Sequence, residues 1–266
     1  MTRAPLTVLI PTFNCERHLP ACLESVKWVD EILICDSYST DSTLDIARQY
    51  TDRVIRHEYI NSAKQKNWAI PQAAHDWVLI IDSDEVLEAA LQTEIQQLLA
   101  DMPDMVDGFR IPRKNLIFGQ WVQSCNMYPD YNTRLFRRDR GRYVDKEVHA
   151  DVPLEQVGTL KGHFIHHDFE DVEDQVRKWA RYIRYEGDEM RKVGRVSRWF
   201  HLVFRPPLIF LYLYFFKGGF REGFRGFYVA MMWTFYTFLK HARLWELEWR
   251  ESEPGRRYWE EDHYDL

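Results

Sequence analysis

Four short apolar runs, each followed by a turn or an acid, set the tightest constraint on this 266-residue chain. LTVLI at 6–10 is closed by Pro11, EILICD at 31–36 ends on Asp36, and RVIRHE covers 53–58. DWVLIIDSDE at 76–85 drives Val78, Leu79, Ile80 and Ile81 straight into Asp82, Asp84 and Glu85. Segments of helical period separate the runs. Leu19, Cys22, Leu23 and Val26 share one face between His18 and Val29, and 39–50 turns Leu44, Ile46 and Ala47 inward, with Asp41 or Ser42 as cap. SAKQKNWAIPQA at 62–73 reads as a helix or helical turn, and 89–99 repeats at the helical period. Near-continuous apolar strands alternating with helices predict an α/β fold whose parallel sheet is covered on both faces. Such sheets gather functional groups beyond the carboxyl ends of their strands. Pro11 to Asn14, Asp36 and Asp82 to Asp84 all lie at such ends, so three stretches converge on one crevice.

The texture changes after residue 108. GFRIPRKNLIFG, NTRLFRRDRGRYV and DVPLEQVGTLKGHFIHH read as strands and turns with large polar side chains. A helix over 170–186 is predicted to bury Val172, Val176, Trp179 or Ala180, and Ile183 on one face. Charge is unevenly spread: residues 191–225 carry 8 Lys and Arg against 1 acid, within a chain of net charge -6. That pattern argues against general nucleic-acid binding and for local attraction to an anionic surface. Two apolar stretches, PPLIFLYLYFF at 206–216 and FYVAMMWTFYTFL at 227–239, fall short of the roughly 20 residues of a spanning helix. Arg205, Lys217, Arg221 and Arg225 flank or separate them. An interfacial helical region fits, and so does ordinary packing as core helices. The expected organisation is a catalytic domain over 1–190, with halves of about 1–100 and 101–190, and an amphipathic helical region over 191–266. Cys15, Cys22, Cys35 and Cys125 form no CxxC pair, which suits a reduced, cytoplasmic chain. The opening MTRAPLTVLIPTFN reads as a first core strand and not as a signal peptide.

Asp82 and Asp84, two apart at a strand end, can close on one hard cation such as Mg²⁺ or Mn²⁺, which also takes substrate phosphates. The alternative is an acid pair that opens the following helix. Asp36 either caps a helix or accepts hydrogen bonds from a nucleobase or ribose. Neither GxGxxG nor GxxxxGK[ST] occurs, so a bound nucleotide would need its phosphates neutralised by metal and side chains. Arg134, Arg137 and Arg138 in NTRLFRR either clamp a diphosphate or sit as solvated charges. His163, His166 and His167 lack the spacing of structural zinc sites; each is a hydrogen-bonding or exposed histidine, or a contact to the Asp-bound cation or a phosphate.

Together VLIPTFN at 8–14, VDEILICDSYSTDST at 29–43, QKNWAI at 65–70, DWVLIIDSDE at 76–85, PDYNTRLFRR at 129–138 and VDKEVH at 144–149 resemble an inverting glycosyltransferase of family 2, on the GT-A fold. FFKGGFREGFRGFYVA at 215–230 and FLKHARLWELE at 238–248 extend the likeness to the lipopolysaccharide core β-1,4-glucosyltransferase branch. The resemblance implies that Pro11, Thr12, Asn14 and Glu16 line the nucleotide pocket, that Asp36 reads the base, and that Lys64 and Asn67 approach the nucleotide. It makes Asp82, Ser83 and Asp84 the DXD stretch at the donor, with Asp84 the more direct ligand of Mg²⁺ or Mn²⁺ and His149 a third contact. The implied partners are a nucleotide-sugar donor, UDP-glucose in that branch, a glycolipid acceptor and the inner-membrane surface, met peripherally from the cytoplasmic side. The branch reads VHE where this chain reads VHA, so Ala150 stands in place of a carboxylate. An inverting displacement needs a base for the acceptor hydroxyl; Glu147 is the first candidate, with Asp151 and Asp130 behind it. Other readings of the same acids are a nucleotidyltransferase, which PTFNCERH does not suit, and a nucleotide-sugar-binding protein that has lost its base.

Overall fold

The computed structural model describes residues 3–103, 105–145, 151–169, 171–252 and 254. They fall into two compact units, one built from 1–121 and 128–169, the other from 122–127 and 170–266.

The first unit begins with the expected alternation: β1 (Leu6–Thr12), α1 (Leu19–Val26), β2 (Glu31–Asp36), α2 (Thr43–Ala47), β3 (Val54–Arg56), α3 (Ser62–Ala69) and β4 (Trp77–Ile80). β5 (Glu85–Leu87) and α4 (Ala89–Ala100) follow, then β6 (Gly108–Ile117), β7 (Gln120–Trp121), β8 (Asp130–Arg137), β9 (Val157–Thr159) and β10 (Phe164–Phe169). Among the described residues one mixed sheet runs β3-β2-β1-β4-β8-β6-β10-β5, with β7 and β9 also on β6. The β3-β2-β1-β4 part is parallel, as the apolar runs predict. Beyond β4 the sheet turns mixed, because β8 joins β4 and β6 antiparallel and β5 closes the far edge antiparallel to β10.

Alternation along the strands fills two cores. Leu6, Val8, Ile10, Ile32, Ile34 and Leu79 meet Leu19, Leu23, Leu91 and Ile95 from α1 and α4 on one face. Leu9, Leu33, Val78 and Ile80 meet Ala63, Ala69, Ile70 and Phe136 on the other. Both faces are dry, which is why these strands carry no polar alternation.

β1 is the pivot of this arrangement. It pairs with β2 through Thr12↔Asp36 but with β4 only through Leu9↔Ile80, and the last bond to the following chain is Ile81 N–H to the Leu9 carbonyl. The nitrogen of residue 11 faces the same side as that carbonyl, so Pro11 lacks a donor only where no strand remains to receive one. Strand order reverses between β1 and β4, and the chain splays apart there into the crevice typical of such sheets.

The second unit contains α5 (Val172–Lys192), α6 (Trp199–Val203), α7 (Arg205–Leu211) and α8 (Phe224–Glu251). α5 turns a different face inward from the predicted one. Val172, Val176 and Ala180 are exposed, and of the expected stripe only Trp179 is buried, beside Gln175, Gly187 and Met190. The reason is the chemistry of α8. Tyr228 donates to Gln175, Tyr236 donates to Glu186 Oε1 at 2.6 Å, and Arg243 meets Asp188 at 3.3 Å. Polar partners therefore occupy positions that apolar periodicity assigns to solvent. The glycines of FFKGGFREGFRG have a packing role as well, since a Cβ on Gly226 would lie 1.8 Å from the Gly219 carbonyl oxygen. Trp199–Phe216 is, by length and composition alone, the one described stretch long and apolar enough to cross a membrane. Most of its side chains are exposed.

His241, on α8, is only 3% exposed. Burial, joined by the charges of Arg205, His201, Lys240 and Arg195, pushes its imidazole down to about 4 from the ordinary 6.5. Between those values the unfolded chain binds a proton that the folded chain refuses, so stability falls as pH drops through that window. Denaturant unfolding at stepped pH is expected to show this decline, and His241→Gln is expected to flatten it between pH 6.5 and 4.

Candidate active site

Asp82, the first residue past Ile81, is gripped from two sides. Lys66 of α3 reaches Oδ1 at 2.7 Å and Arg134 of β8 reaches Oδ2 at 2.8 Å. Its backbone N–H donates to Glu85 Oε2 at 2.9 Å. Burial would raise the Asp82 carboxyl, but Arg134 and Lys66 outweigh it and hold it well below the usual carboxylate range. Glu85 is fully buried, and its Oε1 takes Arg134 at 3.1 Å and Arg113 at 3.3 Å. Arg113 in turn holds Asp130 through two bonds of 2.7 and 2.8 Å, and Asn115 adds a third at 3.1 Å. Two carboxylates and two guanidiniums thus alternate along the sheet, with Lys66 and Asp130 at its ends. Burial resists charge on Arg134, yet Asp82 and Glu85 keep its guanidinium held well above its ordinary value.

Two groups in this cluster are left over. Arg134 Nη1 and the Tyr143 hydroxyl are buried without a hydrogen-bond partner among the described residues. Tyr143 packs its ring 5.3 Å from Lys66 Nζ. Unmet buried polar atoms are rare and costly, and a donor beside Asp82 suits a phosphate or sugar oxygen.

Asp84 lies on the other side of the turn. His166 Nε2 is 3.7 Å from its Oδ2, and the His167 N–H donates to its carbonyl at 3.1 Å. His166 Nδ1 meets Asn115 Oδ1 at 2.9 Å. Burial and Arg113 push the His166 imidazole down, but Asp84 and Asp168 prevail and raise it. Burial pushes the Cys15 thiol up, and Ser83 beside it opposes that shift. Among the described residues no three metal-binding side chains gather. Asp82 spends each oxygen on a cation, and Asp84 could hold a hard cation such as Mg²⁺ or Mn²⁺. Two or fewer protein ligands suit these ions when substrate phosphates and waters complete the shell.

The loops after β1 and β2 are laced together. Asp36, fully buried, accepts from Thr12 Oγ1 at 3.0 Å, Ser39 Oγ at 2.6 Å and Ser39 N–H at 2.9 Å. Asn14 Oδ1 accepts from Thr40 N–H at 2.8 Å, and Glu16 Oε2 accepts from Ser42 N–H at 2.9 Å. Asp41, not Ser42, supplies the side-chain cap, accepting from Thr43 N–H at 3.0 Å. These bonds place Thr12, Asn14, Glu16 and Asp36 together beside Pro11, with Phe13 and Tyr38 exposed above them.

Other predicted residues fall differently. Lys64 is exposed and 3.7 Å from Asp145. Asn67 bonds both the N–H and the carbonyl of Tyr143 at 2.8 Å, which ties α3 to the orphan hydroxyl's residue. Arg137 is paired with Trp77 at the start of β4 and stacks over that ring at 5.2 Å, so the structure places it at the opposite end of the strand from Asp82. Asp151 is exposed, and its Oδ1 accepts the Val152 N–H. Burial would raise Asp130, but Arg113 and Asn115 keep it low, which makes it a weak proton acceptor. Glu147, His149 and Ala150 lie outside the described residues.

Sequence reasoning missed Lys66, Glu85, Arg113 and Tyr143. It also missed a neighbouring cluster in which Glu88 takes Lys114 at 2.7 Å and His163 at 3.3 Å, while Tyr128 meets His163 Nε2 at 3.0 Å beside Trp121. A buried acid in Glu85 directly after DSD was the available signal for the first group. Glu85→Gln is expected to cost about 3–5 kcal/mol in denaturant unfolding, because it leaves the buried Arg134 and the half-buried Arg113 short of charge. Tyr143→Phe is expected to leave Tm unchanged or raised, since the hydroxyl it removes is unpaired.

Comparison with known proteins agrees with this architecture. The model of the family "Glycosyl transferase family 2" matches residues 7–155. A lipopolysaccharide core biosynthesis glycosyltransferase, LpsC of Rhizobium meliloti (strain 1021), is 33% identical over 261 residues, 95% of this chain and 96% of the relative. An uncharacterized glycosyltransferase of Rickettsia typhi is 28% identical over 256 residues, covering 91% and 87%. Among solved structures, the mannosyltransferase PcManGT from Pyrobaculum calidifontis, in complex with GDP-Man and Mn²⁺, superposes with a TM-score of 0.55 at 14% identity, covering 95% of this chain and 89% of that one. That likeness speaks to the fold, which is GT-A-like. The chain belongs to glycosyl transferase family 2.

Proposed function

We propose that this enzyme moves a hexose, glucose being the first candidate, from a nucleotide diphosphate sugar to a lipopolysaccharide-core or other lipid-linked sugar, in one inverting displacement. The observation that carries this reading is Asp82 gripped at the β1/β4 switch point by Lys66 and Arg134, with an unpaired Arg134 donor beside it. The lipopolysaccharide-core name of the Rhizobium meliloti relative supports the acceptor class. Exposed aromatics interspersed with arginines along 199–225 support peripheral attachment to the inner membrane's cytoplasmic face, where a lipid-linked acceptor is met.

In this reading the laced loops carrying Pro11, Thr12, Asn14, Glu16 and Asp36 receive the nucleoside. Phe13 and Tyr38 offer ring faces for the base. Asp36 is fully buried and bonded to Thr12 and Ser39, so base contact requires those partners to shift. Asp84, with Asp82 beside it and His149 as a further contact, would hold Mg²⁺ or Mn²⁺, which would supply positive charge to the donor's diphosphate. Lys66 and Arg134 add fixed charge on the same side and stabilise the nucleoside diphosphate as it departs. Such charges need no reorganisation, because Asp82 and Glu85 already orient them. The acceptor hydroxyl gives its proton to Glu147, with Asp151 behind it. Asp130, low and triply bonded, is the weakest of the three candidates. The Trp121, Tyr128, His163 and Glu88 cluster offers an aromatic face and a carboxylate to an acceptor sugar.

A screen of nucleotide sugars for metal-dependent binding and slow hydrolysis tests the donor without any acceptor. Asp84→Ala is expected to lower turnover at least about 100-fold and to remove the response to chelation. Turnover intact in Asp84→Ala, or donor affinity indifferent to chelator, would overturn the metal-centred reading. The anomeric configuration of the product, read by NMR, tests inversion.

A further inference from the structure

The second unit contains a polar cluster that sugar transfer does not use. His201 of α6 and His241 of α8 stack with ring centroids 5.0 Å apart and planes 26° from parallel. His241 is buried, yet its Nδ1 has no hydrogen-bond partner among the described residues. His201 Nδ1 accepts the Arg198 N–H at 3.2 Å, so a neutral His201 carries its proton on Nε2, as a donor. Arg195 and Arg205 are close enough to act on His241's charge, and both are exposed. Among the described residues neither has a carboxylate within ion-pair distance. Lys240, the other nearby cation, is already committed to Glu186 at 2.9 Å. Glu248 accepts the Ser197 N–H at 2.7 Å, and Ser197 Oγ donates to the His241 carbonyl at 3.0 Å.

We propose that His201, His241, Arg195 and Arg205 form a binding site for the phosphate of a phosphomonoester-headed lipid in a bilayer surface. Two unpaired guanidiniums match the planar, several-oxygen geometry of phosphate. The Nε2 N–H of His201, whose ring His241 stacks against, gives the anion a further hydrogen-bond donor. Trp199, Phe204 and Leu208, on or between the same two short helices, are exposed and supply the apolar contact that acyl chains require. Charge and apolar surface together select a lipid over a soluble anion. This inference rests on the membrane-surface reading above and adds a headgroup to it.

The test is sedimentation of the full chain with sucrose-loaded vesicles of phosphatidylcholine containing either phosphatidic acid or phosphatidylglycerol, matched in surface potential. The wild type is expected to prefer phosphatidic acid by about tenfold, the worth of one charge-assisted contact. His201→Gln and Arg205→Gln are each expected to bring that ratio near unity while leaving phosphatidylglycerol binding within about twofold. Arg221→Gln, outside the cluster, is expected to weaken both equally. No headgroup preference in the wild type, or a preference that survives in the His201→Gln/Arg205→Gln double variant, would overturn the site. Absence of binding to either vesicle would overturn the membrane reading itself. If inorganic phosphate then still shifts the His201 and His241 imidazole signals in NMR, the lipid assignment is overturned in favour of a soluble anion.

Discussion

The chain of charges from Lys66 through Asp82, Arg134, Glu85 and Arg113 to Asp130, part of it fully buried, is the interaction on which the first unit's site depends. Each carboxylate is flanked by cations, and the whole is fixed to β4, β5, β6, β8 and α3 at once. An isolated ion at any of these places would be too costly to bury. Alternation makes the burial tolerable and leaves a preset electrostatic surface where the sheet opens. The two acids of the DSD stretch therefore have different work. Asp82 is tied to the protein's own cations Lys66 and Arg134, whereas Asp84 stands beside His166.

How much of this was legible in the sequence follows from the range of the physics involved. The parallel half of the sheet was legible because burial on both faces writes itself as unbroken runs of Leu, Ile and Val. The acids at strand ends were legible because they interrupt those runs. Lys66, Arg113 and Tyr143 were not, since their partners lie tens of residues away and nothing local distinguishes Lys66 from the exposed Lys64. Arg134 and Arg137 look alike in NTRLFRR. The register of β8 on β4 separates them, and register is a long-range property. The inward face of α5 failed for a related reason: periodicity counts apolar letters, whereas tyrosines and an arginine of α8 select glutamine, glutamate and aspartate as neighbours.

The second unit follows another economy. Its helices keep many aromatic side chains outside, and its internal order comes from tyrosine hydroxyls, ion pairs and close glycine contacts more than from a sealed apolar core.

The proline at position 11 has a consequence for the crevice itself. Sheets tend to zip, and a strand with a bare row of donors invites any passing backbone to continue the ladder. β1 ends its partnership with β4 one step before a residue that has nothing to donate. Whatever peptide drifts alongside finds no footing there, and the slot between the diverging chains stays open to a guest that is not a strand.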